Sequence, residues 1–405
     1  MLTGRRYLLA FTPEQAGYAE RVGAICRAVW NTGLEQRREY RRRGAFVSYV
    51  EQARQLAEAK QDPDCGWLAD APSHTLQQTL RDLERACKAH GTWRVRWRSK
   101  TRTAPSFRFP DRNHIAVRRL NRRWGEVRLP KFGPVRFRWT RAIGGTIRNA
   151  TVSRDGGRWY VSFCVEDGVA EAVPNGKPPV GVDRGVAVAV ATSDGDLHDR
   201  AFVTRGEAAR LRRLQQRLSR SLRTHGRNRR SGRRDTVRAQ LGRLHARIRD
   251  RRCGFAVQTA VRLVRDHGLV AVEDLRVKDM TASARGNVEQ PGRNVRAKAG
   301  LNRSILGKGW GRFLLHLEHA ARYHGAAVVK VNPAFTSQTC HVCGHVARES
   351  RESQAVFRCV ACRHQANADV NAAKNILAAG LAVTGRGDLG IGRSAKRQPP
   401  VRSAA

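Results

Sequence analysis

Acidic residues are scarce in this chain of 405: 34 Asp and Glu stand against 77 Lys and Arg, a formal charge of +43. A compact protein so charged repels itself unless it meets a polyanion. Phosphate backbones are the expected partner, with binding that weakens steeply as salt rises. Lysine is scarce as well, with 66 of the bases Arg and 11 Lys. An Arg, Ala, Gly and Val bias also follows from GC-rich coding, so the net charge and not the choice of base carries the inference. No apolar run approaches the ~20 residues of a membrane span. The start, MLTGRRYLLAFTPEQ, lacks the apolar stretch of a secretory signal. Of nine cysteines, Cys26, Cys65, Cys87, Cys164 and Cys253 are scattered, which does not make a disulfide framework. A reducing, intracellular compartment and no membrane partner are expected.

The length allows two or three domains with sizeable cores. RRYLLAF reads as a short strand, and Thr12-Pro13-Glu14 as a helix start with a cap and a proline at the first helical position. Val22, Ile25 and Val29 follow at helical spacing; a second helix is expected near Val50–Ala59, and a third from Pro72-Ser73 with Leu76, Leu80 and Leu83 on its core face. From residue 92 the texture changes to Arg interleaved with aromatics, then to short strands separated by turns, with the hairpin signal RDGG before RWYVSFCVE. Residues from about 95 to 167 are therefore expected to form a small β-barrel or curled sheet. Trp93, Trp97 and Phe107 lie among Arg and are candidates for stacking on bases, with a core role as the alternative. EAVPNGKPP reads as a linker. An Arg-rich segment over about 204–251 reads as a helical hairpin with a nucleic-acid-contacting or disordered tip, RTHGRNRRSGRRD. A separate helix near 253–267, a mobile loop over 277–308 and a disordered basic tail from Thr384 complete the pattern.

Two stretches carry chemistry. Cys340, Cys343, Cys359 and Cys362 are spaced Cys-x2-Cys-x15-Cys-x2-Cys. Two such knuckles brought together by a hairpin give tetrahedral sulfur coordination of zinc, and four thiolates leave no open position, so the ion is structural. The neighbouring His341, His345 and His364 are not needed by a four-sulfur site and are read as bystanders. The second set is acidic. Asp183 ends the apolar strand PVGVD, Glu273 ends GLVAVE, and Asp369 opens the last helix just past the cysteines. Three such carboxylates converging can hold two Mg²⁺ ions about 3.5–4 Å apart, which serves phosphodiester hydrolysis. Asp274 is expected to point the other way from Glu273. Asn371 and Asn375 are candidates for orienting the acids, and Arg358, Arg363 and Lys374 for touching nucleic acid.

The blocks GVDRGVAVAVATSDG, AVEDLRVKDM and NPAFTSQTCHVCG…FRCVACRHQANADVNAAKNIL resemble the three RuvC motifs and zinc ribbon of the TnpB (OrfB) family of insertion-sequence nucleases, relatives of the compact type V CRISPR effectors. The match covers roughly residues 178–380. The resemblance implies an α+β multidomain protein: an RNase H-like RuvC nuclease domain with an inserted zinc ribbon, plus an N-terminal β-barrel wedge domain with an inserted helical recognition lobe. The implied division is 1–11 for the first wedge strand, 12–94 for the helical lobe, 95–170 for the wedge barrel and 171–178 for a linker. Residues 179–336 and 366–383 are the two parts of the RuvC-like domain, 337–365 the ribbon, and 384–405 a basic tail. It also implies an RNA-guided DNA endonuclease that recognises a short target-adjacent motif and cuts at one Mg-dependent site made of Asp183, Glu273 and Asp369. The partners are then a guide RNA and target double-stranded DNA in the bacterial cytoplasm, at the nucleoid. A catalytically silent guided repressor on the same fold is the alternative, and retention of all three acids weighs against it. The sequence leaves open transposon or CRISPR context, and monomer or homodimer.

Overall fold

The computed structural model describes residues 1–170, 172–226, 231–287 and 289–385; residues 227–230 of the Arg-rich tip and 386–405 of the tail lie outside the described residues. The chain divides into two compact units, Met1–Ala170 with Leu214–Ala246, and Glu171–Arg213 with Arg247–Ala405.

In the first unit a strand, β1 (Leu2–Ala10), runs into helix α1 (Pro13–Arg42). A capping box fixes the boundary: the Gln15 amide donates to the Thr12 hydroxyl at 3.2 Å, and the Thr12 amide donates to the Gln15 side chain at 3.2 Å. Helices α2 (Tyr49–Ala59) and α3 (Ser73–His90) follow. Val22, Ile25 and Val29 of α1 and Leu76, Leu80 and Leu83 of α3 are buried in a common core. Six more strands come next: β2 (Ser106–Phe109), β3 (Ala116–Arg119), β4 (Trp124–Leu129), β5 (Gly133–Arg138), β6 (Thr146–Asp155) and β7 (Arg158–Glu166). With β1 they make a seven-stranded antiparallel sheet in the order β2-β6-β7-β1-β5-β4-β3. Gly156 and Gly157 turn the β6–β7 hairpin at φ 57° and 80°, conformations other residues adopt at a cost. Along β7, Trp159, Val161, Phe163 and Val165 are buried, while the intervening residues are less so. The candidate base-stacking aromatics separate here. Phe107 is buried against Phe109, Phe132 and Trp159, so it belongs to the core. Trp93 and Trp97 are exposed, and the Arg38 guanidinium lies over both rings.

The second unit is built on β8 (Pro179–Asp183), β9 (Val190–Thr192), β10 (Leu197–His198), and later β11 (Leu269–Glu273) and β12 (Ala327–Val331). Their order is β10-β9-β8-β11-β12, with β8, β11 and β12 parallel and β9 and β10 antiparallel. Between these strands come the long helices α4 (Arg205–His225) and α5 (Gly232–Asp266), which contribute to both units. The sequence suggested a break in α5 near residue 252; the helix runs through it without interruption. Helices α6 (Val277–Met280), α7 (Val295–Lys308) and α8 (Trp310–His324) follow β11. The mobile loop expected over 277–308 is thus largely helical, since VRAKAGLNRSILGK is rich in helix formers and stops at the left-handed Gly309. A hairpin of β13 (Val356–Arg358) and β14 (Gln365–Asn367) leads into the last helix, α9 (Ala368–Gly385).

The strands β8 and β11 read as unbroken apolar runs because both faces are covered. Val180, Val182, Val270 and Val272 pack on Leu263 and Val264 of α5 and on Phe313 and Leu317 of α8. The opposite face meets α9, through Ile376 against Ala271 and Val331. Gly181 pairs with Ala271 across the strands. A methyl group at 181 would sit 2.0 Å from the Ala373 carbonyl oxygen, and one at Gly380 would sit 2.5 Å from the Ala271 methyl. Small residues on both sides therefore let α9 lie close on the sheet. Gly181→Ala is expected to destabilise the protein by about 1–3 kcal/mol or more, because backbone atoms must give way. Gly17→Ala, in α1 with open space around it, is expected to stabilise by up to about 1 kcal/mol. Denaturant unfolding of the two variants checks this; equal effects would refute the close approach.

Candidate active site and cysteine cluster

Parallel strands whose carboxyl ends meet at one edge of a sheet leave a crevice there, and ligands of open α/β sheets bind in such crevices. Asp183 and Glu273 are the last residues of β8 and β11, one position beyond the paired Val182 and Val272. Asp369 stands in the first turn of α9, where a carboxylate is favoured by the helix dipole. Asn367 caps that turn, its side-chain oxygen accepting from the amides of Asp369 at 3.0 Å and Val370 at 3.2 Å. All three acids are buried, at 9%, 8% and 5% exposure, whereas Asp274 is exposed.

Burying like charges together raises their pKa values. Asp183 is pushed up to about 7, first by burial and then by the charges of Glu273 and Asp369. Burial raises Glu273, opposed by the Thr336 hydroxyl and by Arg184 and Arg351. It also raises Asp369, opposed by Arg351. Asp183 thus feels the charges of the other two, but the three acids' oxygens are not gathered into a cage within 4.8 Å of each other. Part of the space between them is claimed by a cation of the protein itself, since the Arg351 guanidinium donates to Asp369 Oδ1 at 3.1 Å.

Thr336 and Arg184, which the sequence reading missed, hold this arrangement, together with the two asparagines it named. The Thr336 hydroxyl donates to Glu273 Oε1 at 2.7 Å. The buried Arg184 donates to the Glu273 backbone carbonyl. Asn375 donates to the carbonyls of Thr336 at 2.9 Å and Thr339 at 2.7 Å. Asn371, fully buried, donates to Thr339 at 2.8 Å and accepts from the His341 amide at 3.1 Å. The two asparagines therefore act on the acids through the 336–341 segment, with no hydrogen bond to the carboxylates themselves among the described residues. Thr336 follows the strand end by five residues with no local signal, so only the folded chain reveals it. His341 stays outside the four-sulfur cluster, as expected, but it is engaged elsewhere: its ring Nδ1 lies 2.9 Å from Asn371 Oδ1, and its Nε2 3.3 Å from Lys374 Nζ. Lys374 is thereby engaged, as is Arg358, which pairs with Glu352 at 3.2 Å. Arg363 is exposed.

The segment between β12 and α9 folds around the four cysteines, whose sulfur atoms all lie within 4.8 Å of one another. Sγ of Cys340 is 3.7 Å from that of Cys362, and Sγ of Cys343 is 3.6 Å from that of Cys359. A regular tetrahedron with Zn–S bonds of about 2.3 Å has edges of about 3.8 Å, so the spacing suits that ion and not a disulfide. The two knuckles share one wiring. Cys340 and Cys359 donate their amides to the carbonyls of His345 and His364, each at 2.9 Å. Their carbonyls accept from Gly344 at 2.9 Å and Arg363 at 3.0 Å, and both of these residues are left-handed, at φ 73° and 57°. The Cys362 amide, 3.4 Å from Cys359 Sγ, is the largest influence holding the Cys359 thiol down to about 6, while the Cys362 thiol, hydrogen-bonded in the same cluster, is pushed up to about 12. Phe357 and Ala368 close the small core behind Cys340 and Cys359. Arg351 lies between the two knuckles, so the cysteine segment also supplies the cation on Asp369.

Comparison with known proteins covers nearly the whole chain. Three family profiles match: "Probable transposase" over residues 162–284, "Helix-turn-helix domain" over 1–45, and "Cas12f1-like, TNB domain" over 310–376. The chain is 38% identical over 390 residues to the "Putative RNA-guided DNA endonuclease InsQ" of Escherichia coli, covering 95% of this chain and 94% of that one. It is 32% identical to a "Putative RNA-guided DNA endonuclease" of Streptomyces pristinaespiralis over 99% and 96% of the two chains. Its α+β fold is similar to that of a Cas12f1 chain solved with its single guide RNA and target DNA, at a TM-score of 0.52 and 12% identity over 91% of this chain and 83% of that chain. With two relatives above 30% identity over almost their full lengths, and with the motifs in their places, the chain belongs to the TnpB (OrfB) family.

Proposed function

We propose that this protein is an RNA-guided DNA endonuclease that hydrolyses phosphodiesters at one site formed by Asp183, Glu273 and Asp369. The observation that carries the reading is the burial of these three acids, from three distant segments, near the ends of the parallel strands β8 and β11, where the charges of Glu273 and Asp369 act on Asp183. Relatives named as RNA-guided endonucleases support the guiding, and the charge of +43 suits a protein that holds two polyanions. Residues 179–336 and 366–383 are assigned as an RNase H-like RuvC nuclease domain, with a zinc ribbon at 337–365; of these, Leu214–Ala246 group with the first unit. The antiparallel sheet, residues 1–11 and 95–170, is the wedge, and helices 12–94 the recognition lobe. A short motif beside the target is read by the protein and the rest by the guide.

The residues fit a hard divalent ion of the magnesium type. Three buried carboxylates carry more negative charge than Arg351 offsets, and oxygen is the donor such ions prefer. Asp183, Glu273 and Asp369 would hold it, and when bound it supplies Lewis-acid stabilisation and an activated water for phosphodiester hydrolysis. The chain's own part is placement: Thr336 and Arg184 fix Glu273 at its side chain and backbone, and the Asn367 cap fixes the turn that bears Asp369. The four cysteines fit a structural zinc, which keeps Arg351 and the turn into α9 in position.

Asp183→Ala, Glu273→Ala and Asp369→Ala are each expected to reduce cutting of target DNA to background with Mg²⁺ and guide present, while nucleic-acid binding persists. Sequencing of copurified RNA supplies the guide. Wild-type protein that binds its guided target and leaves it intact would favour the silent repressor instead. Cys359→Ser is expected to lose zinc and lower the melting midpoint; unchanged metal content and midpoint would contradict the ribbon.

The raised pKa of Asp183 gives a third expectation. A carboxyl protonated more readily when folded adds stability at low pH, and that stability is lost as pH climbs from about 4 towards about 7. Without added divalent ions, Asp183→Asn should therefore melt several degrees above wild type at pH 8, with little difference at pH 5. Added Mg²⁺ should narrow the gap at pH 8. Melting curves at the two pH values decide it, and an Asn variant less stable at pH 8 would sink the like-charge account.

A further inference from the structure

Apart from the cysteines, the described residues contain one other group of three or more His, Cys, Asp or Glu whose ligand atoms all lie within 4.8 Å of one another: His74, Asp111 and His114. It lies entirely in the first unit, far in sequence from the acids and the ribbon. His74 stands in the first turn of α3, just after Pro72. Asp111 caps, and His114 ends, a short 3-10 turn, Arg112–His114, between β2 and β3. The two imidazole rings face each other with centroids 5.3 Å apart and planes 28° from parallel. The two oxygens of Asp111 do different jobs. Oδ1 accepts from the Asn113 amide at 2.9 Å and caps the turn, which leaves Oδ2 for His114 Nδ1 at 3.3 Å. The carboxylate is therefore oriented by the backbone before any ligand arrives. All three residues line a cavity of about 210 Å³, whose other walls are largely apolar, from Phe109, Pro110 and Pro130.

We propose that His74, Asp111 and His114 form a second metal site, for a zinc-type transition ion. Two imidazoles and a carboxylate select such ions over Mg²⁺ and Ca²⁺, which prefer all-oxygen sites. Three protein ligands leave a fourth position, bordering the cavity, for water or an anionic oxygen. The ion ties the start of α3 to the turn between β2 and β3, two segments of the first unit that are 36 or more residues apart in the chain. The donor set differs from the ribbon's four sulfurs, so the two sites can be told apart by spectroscopy.

The test uses the full chain carrying Asp183→Ala, which disables the three-acid site, with its cysteine site loaded with zinc. Isothermal titration with further Zn²⁺ should show one additional equivalent that also raises the melting midpoint. Co²⁺ titrated into the same protein should give visible d–d absorption without the thiolate charge-transfer bands of the cysteine site. His74→Ala and His114→Ala should each weaken this binding roughly tenfold or more. Both side chains are exposed, so metal-free melting should be unchanged. Asp111→Asn, which retains an oxygen to cap the turn, should weaken it likewise. The proposal is overturned if no second equivalent binds, or if both histidine variants bind it as their parent chain does. It is also overturned if His341→Ala alone abolishes the binding, because the ion would then lie beside the cysteines.

Discussion

Like charges buried side by side repel, and the second unit is organised around holding three of them in place. Asp183 and Glu273 end adjacent strands, and Asp369 begins the helix that lies across those strands. Burial first, and that repulsion after it, push the Asp183 carboxyl up to about 7. A fold pressed only to be stable would not keep such a group. Here the backbone hydrogen bonds of a parallel sheet, the close seat of α9 on Gly181 and Ala271, and the cap at Asn367 all act to keep it.

Helix α9 has more than one task. It carries Asp369, it covers one face of the sheet, and through Asn371 and Asn375 it grips the 336–341 segment. That segment in turn carries Thr336, which hydrogen-bonds Glu273, and it leads directly into the first knuckle. Two of the three acids are therefore governed from one helix, and the cysteine segment is tied to the same helix at both ends. The placement of the acids and the integrity of the cysteine cluster form one mechanical problem.

Much of this was legible in the chain because local signals suffice for it. Apolar runs ending in an acid mark buried parallel strands, a Thr-Pro pair marks a helix start, and Cys-x2-Cys pairs mark knuckles. What escaped depends on partners far away in sequence. Nothing around Thr336, Arg184 or Arg351 announces that each reaches Glu273 or Asp369, since a hydroxyl or a guanidinium on a basic chain reads as surface. Phe107 sits among Arg in sequence, yet its strand turns it into the aromatic core. The segment 277–308 looked like a loop because Gly and Asn around 286–294 dominate the eye, while helix formers flank them on the C-terminal side.

The two knuckles have the same wiring but not the same ease. Gly344 adopts its left-handed bend at no steric cost, whereas Arg363 in the same role carries about 1 kcal/mol of backbone penalty. The Arg363 amide on the Cys359 carbonyl and the Cys359 amide on the His364 carbonyl hold that bend. The turn bearing Cys359 and Cys362, the one that leads into Asp369, thus carries a backbone cost that its twin at Cys340 and Cys343 does not.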